Sequence, residues 1–494
     1  MKVTRRTTLG LLGSAGLAVP LAGCGPTRDP KVLRSTAKQP PLFQRPLTIP
    51  PVLRPAAATT DGDHYQMTVQ QASVEILPGL KTRVYGYQGA FPGPTLELKR
   101  GRPAFVAQHN ALPEPIVTHL HGGHVPTTSD GYPTDLVAAG ANRTYAYPVD
   151  QRAATLWYHD HRMDHTGRQV WMGLAGMAIV RDDEEAALPL PHGDREVPLL
   201  ICDRSFGSDG QLYYPTIGDG MAGMDEMIKP AYGGGLLGDM ILVNGTPWPY
   251  LEVDAARYRF RILNFSNARR YDLALDPPPP GGKGLVQIGS DGGLLAAPIK
   301  HDSIQMAPGE RFDVVVDFSR YKPGTTVTLV NKFNGGNLGK VMQFHITRSA
   351  TDDSSIPAKL GTVQPLIRSQ AVRTRAFRFA SGSVHGKDGW LINGHAFSTK
   401  RIEASPRLGT TEIWKLASTE RHPVHLHLTQ FQVLSRRGGA PGQYDHGWKD
   451  TVELAPGETV EVIARFDGYR GKYVLHCHNL EHEDMAMMAN FQVI

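Results

Sequence analysis

Ten of the 20 histidines in this chain fall in four short runs. They are His119 and His121 in THLHGG, His159 and His161 in WYHDH, His422, His425 and His427 in HPVHLH, and His476, His478 and His482 in HCHNLEH. Alternate residues of a strand share a face, so each His-x-His pair presents two imidazoles to one side. The four pairs can enclose a single histidine-rich site. Imidazole suits zinc, copper, iron or nickel, and so many imidazoles imply several ions rather than one. Cys477 lies between His476 and His478 and therefore points to the opposite face. His422 and His482, the clustered histidines outside the pairs, are available there. A cysteine, two histidines and a long methionine bond form the blue-copper donor set. Met487, five residues after His482, has the most suitable spacing, ahead of Met485 and Met488. Structural zinc favours closed four-coordinate sites, often with several cysteines. Many histidines around one thiolate and a following methionine favour copper.

Short strands must carry these residues. Runs with strand character and turn signals recur along the chain: YQMTVQQASVEIL (65–77), PTLELKRG (94–101), TYAYPVD (144–150) and GMAIVRD (176–182). A second set runs from VPLLICD (197–203) through RYRFRILNFS (257–266) and RFDVVVDFS (311–319) to TVTLVNKF (326–333). A third includes TTEIWKLAS (410–418), HLTQFQVLSRR (427–437), TVEVIARF (459–466) and GKYVLHCH (471–478). Helical period is scarce. With 53 glycines and 38 prolines, the pattern predicts an all-β chain of three tandem β-sandwich domains, at 61–185, 195–350 and 366–494. The stretches near 183–194 and 348–366 read as linkers. Residues 25–60, rich in Pro and Arg and without periodicity, read as a tether.

The first 24 residues read as an export signal. Lys2, Arg5 and Arg6 precede a short apolar run, Leu9 to Ala22, too short to span a bilayer comfortably. Arg5-Arg6 followed by Thr7-Thr8-Leu9 has the form of a twin-arginine signal. Leu21-Ala22-Gly23-Cys24 has the form of a lipoprotein processing site, which marks Cys24 for lipidation. The expectation is a cell-envelope protein outside the cytoplasm, touching the membrane only through an N-terminal lipid. Without residues 1–24 the chain keeps 49 basic and 47 acidic residues, a balance that gives no reason to expect nucleic acid. Cys202, in an apolar run, reads as a small buried residue. With three cysteines in all, a disulfide framework is not expected.

The motifs His-x-His-Gly, His-x-His, His-Pro-x-His-x-His and His-Cys-His-x3-His-x4-Met stand in this order, and the chain resembles the multicopper oxidases. GSDGGLLAAPI (289–299), ILVNGTPWPYLEV (241–253), WLINGHAF (390–397) and HEDMAMMANF (482–491) are similar to the group holding spore-coat laccase, bilirubin oxidase and phenoxazinone synthase. The resemblance implies three cupredoxin-like Greek-key domains, with a polynuclear site between the first and third. It implies about four copper ions: type 1 on His422, Cys477, His482 and Met487; type 2 on His119 and His425; and a type 3 pair on His121, His159, His161, His427, His476 and His478. It implies a laccase-like enzyme, expected as a monomer, that oxidises phenols, aromatic amines or bilirubin-type pyrroles by single electrons and reduces O2 to water. Glu483 and Asp130 match acids that the group places near the cluster. Each could relay protons or anchor a ligand histidine. Met221, Met224 and Met227, at a spacing suited to one side of a helical turn, raise the alternative of a cuprous oxidase, since soft sulfur suits Cu(I). A weaker alternative, an electron carrier without O2 turnover, does not need so complete a ligand set. His64, His192, His301, His345 and His385 have no sequence partners and read as surface or satisfied positions. His124 and His165 read the same way despite lying near the motifs.

Overall fold

The computed structural model describes residues 29–218, 226–384 and 386–494. The strands form three double-sheet sandwiches. In the first, Asp63–Val74, Thr82–Tyr87, Ala104–Asn110 and Asn142–Tyr147 face Thr95–Lys99, Ala175–Arg181, Ala154–Asp160 and Thr118–His121. Alternation explains the layer between them. Tyr65, Met67 and Val69 from one sheet and Leu96, Leu98, Leu156 and Tyr158 from the other all enter a common core. The second sandwich pairs a seven-stranded sheet, including Glu196–Arg204, Arg257–Asn264 and Arg311–Asp317, with a five-stranded sheet. Its central strands are covered on both faces, and the charged residues that interrupt their apolar pattern, Arg259 and Arg261, are buried in pairs with Glu185, Glu196 and Asp313. The third pairs the sheet of Ala371–Val384, Thr410–Ser418 and Thr459–Phe466 with the sheet of His422–Leu426, Gly471–Cys477, Met488–Val493 and Thr451–Leu454.

The tether expectation for 25–60 is corrected over its described part. Residues 29–58 run along the body of the protein. Lys31–Val32 pairs in parallel with Leu236–Leu237, Val52–Leu53 adds to a sheet of the first sandwich, and Leu33, Ala37 and Leu47 are buried. These apolar residues lack period because the surfaces that cover them belong to distant segments. The expected linkers are irregular in part but also packed: Leu190 and Leu360 join a small core with Ile288, Leu294 and Val315. The helical turn expected around Met227 is a strand instead, Glu226–Ile228 paired with Thr216–Gly218. Met221, Met224, His385, Cys24 and the signal segment 1–24 lie outside the described residues. Two helices not foreseen, Thr166–Met172 and Leu480–Asp484, pack together beside the histidine runs.

Candidate metal centre

Register brings the histidines together. In the first sandwich Thr118–His121 pairs antiparallel with Ala154–Asp160, with His119 opposite His159. In the third, His422–Leu426 pairs antiparallel with Gly471–Cys477, with His425 opposite His476. The two strand pairs correspond: His119, His121, His159 and His161 occupy in one the places of His425, His427, His476 and His478 in the other. The sandwiches meet at these faces. His121 stacks on His425 with ring centroids 3.6 Å apart, and His119 stacks on His427 at 3.8 Å. His119 Nε2 lies 3.4 Å from His425 Nε2. His476 Nε2 lies 3.2 Å from both His161 Nε2 and His427 Nε2. All eight rings are buried.

The same strand explains the second set. His422 precedes His425 by three positions, so it falls on the opposite face of the strand together with Val424, whose partner is Cys477. There Cys477 Sγ lies 3.3 Å from His422 Nδ1 and 3.6 Å from His482 Nδ1, and the two nitrogens are 3.0 Å apart. The first sandwich has Ile116 and Asp160 in the positions equivalent to His422 and Cys477. Asp160 accepts the backbone N–H groups of Val117 and Arg162 at 2.9 Å and serves the loop instead.

Met487 is wholly buried in the core that holds Cys477, and its carbonyl accepts the Cys477 N–H at 3.1 Å. The alternatives point elsewhere. Met485 Sδ would touch a Cβ placed on Gly233, and Met488 lies opposite His476 in a cluster with Tyr132 and Val474.

Hydrogen bonds decide which nitrogen of each ring stays free. His119 Nδ1 donates to the Asp130 carbonyl at 2.5 Å, His159 Nδ1 to the Asp160 carbonyl at 2.8 Å, and His425 Nδ1 to the Asp450 carbonyl at 2.9 Å. His427 Nδ1 donates to Asp130 Oδ2 at 2.8 Å, and His476 Nδ1 to the Cys477 carbonyl at 3.1 Å. In each case the Nε2 lone pair faces the other histidines. His121 is reversed. Its Nε2 lies 3.0 Å from Asp450 Oδ1 and 3.1 Å from Thr451 Oγ1, while Nδ1 has no hydrogen-bond partner among the described residues. His159 Nε2 and both nitrogens of His478 are likewise buried and without hydrogen bonds among the described residues. Such groups are costly unless something accepts their lone pairs.

Electrostatics agree with ligation by neutral rings. Burial pushes the imidazoles of His119, His121, His159, His425, His427 and His478 down, and with them His161 to about 4 and His422 to about 3. Burial pushes the Cys477 thiol up, so its ionisation requires a compensating cation. Glu483 lies 3.4 Å (Oε1) from His161 Nδ1 and 3.0 Å (Oε2) from His476 Nδ1, and Oε1 accepts the Thr166 hydroxyl at 2.8 Å. Burial opposes its charge, but His476 and His161 outweigh burial and hold the carboxyl well below its usual range. Asp130, wholly buried, is raised instead. The chemistry of the donors fits copper: imidazoles without charge, a single thiolate and a nearby thioether.

Sequence profiles of multicopper oxidase domains match residues 68–185 and 367–494. The laccase of Bacillus subtilis is 37% identical over 90% of this chain and 97% of its own length. The chain belongs to the multicopper oxidase family. The bilirubin oxidase of Albifimbria verrucaria is 34% identical over 93% of this chain and 83% of its own. Among solved structures, a multicopper oxidase from Pediococcus acidilactici superposes with a TM-score of 0.82 at 32% identity, covering 93% of each chain. One from Aquifex aeolicus gives 0.77 at 34% identity over 90% of this chain and all of the other. As a multicopper oxidase the chain binds copper, and the histidine clusters supply donors for it.

Several supporting residues escaped the sequence reading. Arg311, wholly buried, donates to the Thr155 carbonyl (2.9 Å), the Gly309 carbonyl (2.9 Å) and Asp450 Oδ1 (2.7 Å), and so ties all three sandwiches to Asp450. Lys449 is buried between Asp291 (3.0 Å) and Glu310 (3.1 Å). The available signal was a pair of charged residues at the entry to a short strand, Glu310-Arg311 before FDVVVD and Lys449-Asp450 before TVEL. On the outer side, the Trp390 ring lies 3.8 Å from that of His482, and Asn479 and the Gly234 carbonyl lie 3.1 and 3.2 Å from His482 Nε2. A cavity of about 260 Å³ reaches His482 between Gly234, Pro423 and Asn479.

Proposed function

We propose that this chain is a laccase-like oxidase that takes single electrons from phenolic, aromatic amine or bilirubin-type donors and passes them to O2. The observation that carries the reading is Cys477. Its sulfur faces His422 and His482, while its two chain neighbours, His476 and His478, face the opposite cluster of histidines. One tripeptide thus joins two donor sets.

The reading assigns His422, Cys477, His482 and Met487 to a type 1 ion, His119 and His425 to a type 2 ion, and His121, His159, His161, His427, His476 and His478 to a type 3 pair. That makes about four ions per chain. Bound copper supplies one-electron transfer and the reduction of one O2 by four electrons and four protons to two waters. The protein's own groups do the rest. The cavity at His482 admits a donor to the edge of a ligand ring. Asp450, Asp130 and backbone carbonyls hold the imidazoles in one tautomer. Glu483, beside His161 and His476, takes up protons at its carboxyl oxygens and passes them on, and Asp130 serves similarly beside His427. The twin-arginine pattern at Arg5-Arg6 and the run ending in Cys24 support export to the cell envelope and lipid attachment.

Oxygen uptake tests the reading. Copper-loaded protein should consume O2 with a phenolic dye substrate. Uptake driven mainly by Cu(I) would favour the cuprous oxidase reading, and no uptake with either donor would leave only an electron carrier.

A further inference from the structure

The described chain begins at the mouth of the donor cavity. Asp29 and Pro30 line the same cavity as His482. The segment is fixed there: the Lys31 N–H donates to the Gly235 carbonyl at 2.9 Å, the Leu33 N–H donates to the Leu237 carbonyl at 2.7 Å, and Leu33 is buried. A Cβ placed on Gly235 would lie 2.8 Å from Asn479 Nδ2 and 3.2 Å from Pro30 Cβ. Pro30 therefore sits over the group formed by Gly234, Asn479 and His482.

Cys24 precedes Asp29 by five residues. Even fully extended, five residues reach no more than about 18 Å. A diacylglycerol on Cys24 therefore holds the cavity mouth within about that distance of the bilayer surface, however the intervening residues are arranged. Lys31 and Arg34, exposed on the segment that leaves the cavity, suit the anionic headgroups of such a surface, whereas Arg421 on the rim is paired with Glu453 at 3.3 Å. The cavity has room for an aromatic head, but a long alkyl chain would have to remain outside it, toward the lipid.

We propose that the anchored protein presents the His482 cavity to the membrane and draws its electrons from bilayer-dissolved hydroquinones and phenols. The proposal rests on the oxidase reading above and on lipid attachment at Cys24. The chemistry balances without a further oxidant: two hydroquinones give up four electrons and four protons to one O2, yielding two quinones and two waters.

The test uses full-length, copper-loaded protein reconstituted on vesicles of phosphatidylethanolamine and phosphatidylglycerol. Decyl-hydroquinone dissolved in the bilayer is compared with a water-soluble hydroquinone. A second variant carries 20 Gly/Ser residues inserted between residues 28 and 29, which adds a root-mean-square reach of about 25 Å. The expected result is that the spacer lowers turnover of the bilayer donor at least threefold and leaves turnover of the soluble donor unchanged. Equal turnover of the bilayer donor by lipidated wild type and spacer variant would overturn the proposal alone. A protein mass lacking the lipid, with no sedimentation on vesicles, would overturn it through the anchor. Failure to consume O2 with either donor would overturn it through the oxidase reading.

Discussion

Replacing Arg311 with methionine tests how the second sandwich, which supplies none of the clustered histidines, controls the metal centre. The side chain is wholly buried and is bonded to both carboxylate oxygens of Asp450. Burial alone would raise the Asp450 carboxyl; Arg311 and then His121 outweigh it and hold the group well below its usual range. Ionised Asp450 can only accept, so His121 carries its proton on Nε2 and keeps the Nδ1 lone pair for metal. Methionine leaves that carboxylate buried without its partner, a loss of about 3–5 kcal/mol in stability. If Asp450 instead takes up a proton, it can donate to His121 Nε2 and move the ring proton to Nδ1. Removal of such outer partners lowers metal affinity roughly 10–100-fold. The variant should therefore lose copper from the interdomain cluster and keep the blue absorption of the Cys477 set, which lies on the far side of the strand. Copper analysis, electron paramagnetic resonance and thermal unfolding measure this. Arg259→Met is the control, because Arg259 is equally buried but serves Asp313 and Glu185. It should destabilise comparably and leave copper content intact. Full copper loading and an unchanged spectrum in Arg311→Met, or selective copper loss in both variants, would refute the reasoning.

Two further outcomes are expected. In Gly309→Ala the new methyl would lie 3.0 Å from the His478 ring at a backbone φ of +84°, costing about 1–2 kcal/mol in conformation alone. The type 3 absorption should fall in this variant while the thiolate band persists. Glu185, buried among Arg261, Arg259 and Arg181, is lowered to about 2, with burial opposing the shift and the arginines, Arg261 first, outweighing it. A depressed carboxyl stabilises the fold above its unfolded value and loses that contribution as pH falls toward about 2, here roughly 3 kcal/mol. Denaturant unfolding of Glu185→Gln should accordingly show a smaller loss of stability between about pH 4.5 and 2 than the wild type.

The ligand histidines were legible because a strand's period of two converts His-x-His directly into geometry, and His–Cys–His into two faces. The strands around them were legible for the same reason: TTEIWKLAS and TVEVIARF alternate as the paired strands Thr410–Ser418 and Thr459–Phe466 do. Asp450 and Arg311 were not legible as partners, since 139 residues separate them and each looks like an ordinary surface charge in its own window. The packed course of residues 29–58 was hidden because Leu33 and Leu47 are covered by segments far along the chain. The helix Leu480–Asp484 was too short to show a period, yet it turns His482 back toward Cys477.

The most direct measurement compares copper content and visible absorption of the wild type with those of Cys477→Ser. The account predicts about four copper ions per chain and an intense thiolate-to-copper band in the wild type, and about three ions with no such band in a folded variant. A wild type without the band, or a serine variant that keeps both the band and normal oxidase turnover, would contradict it.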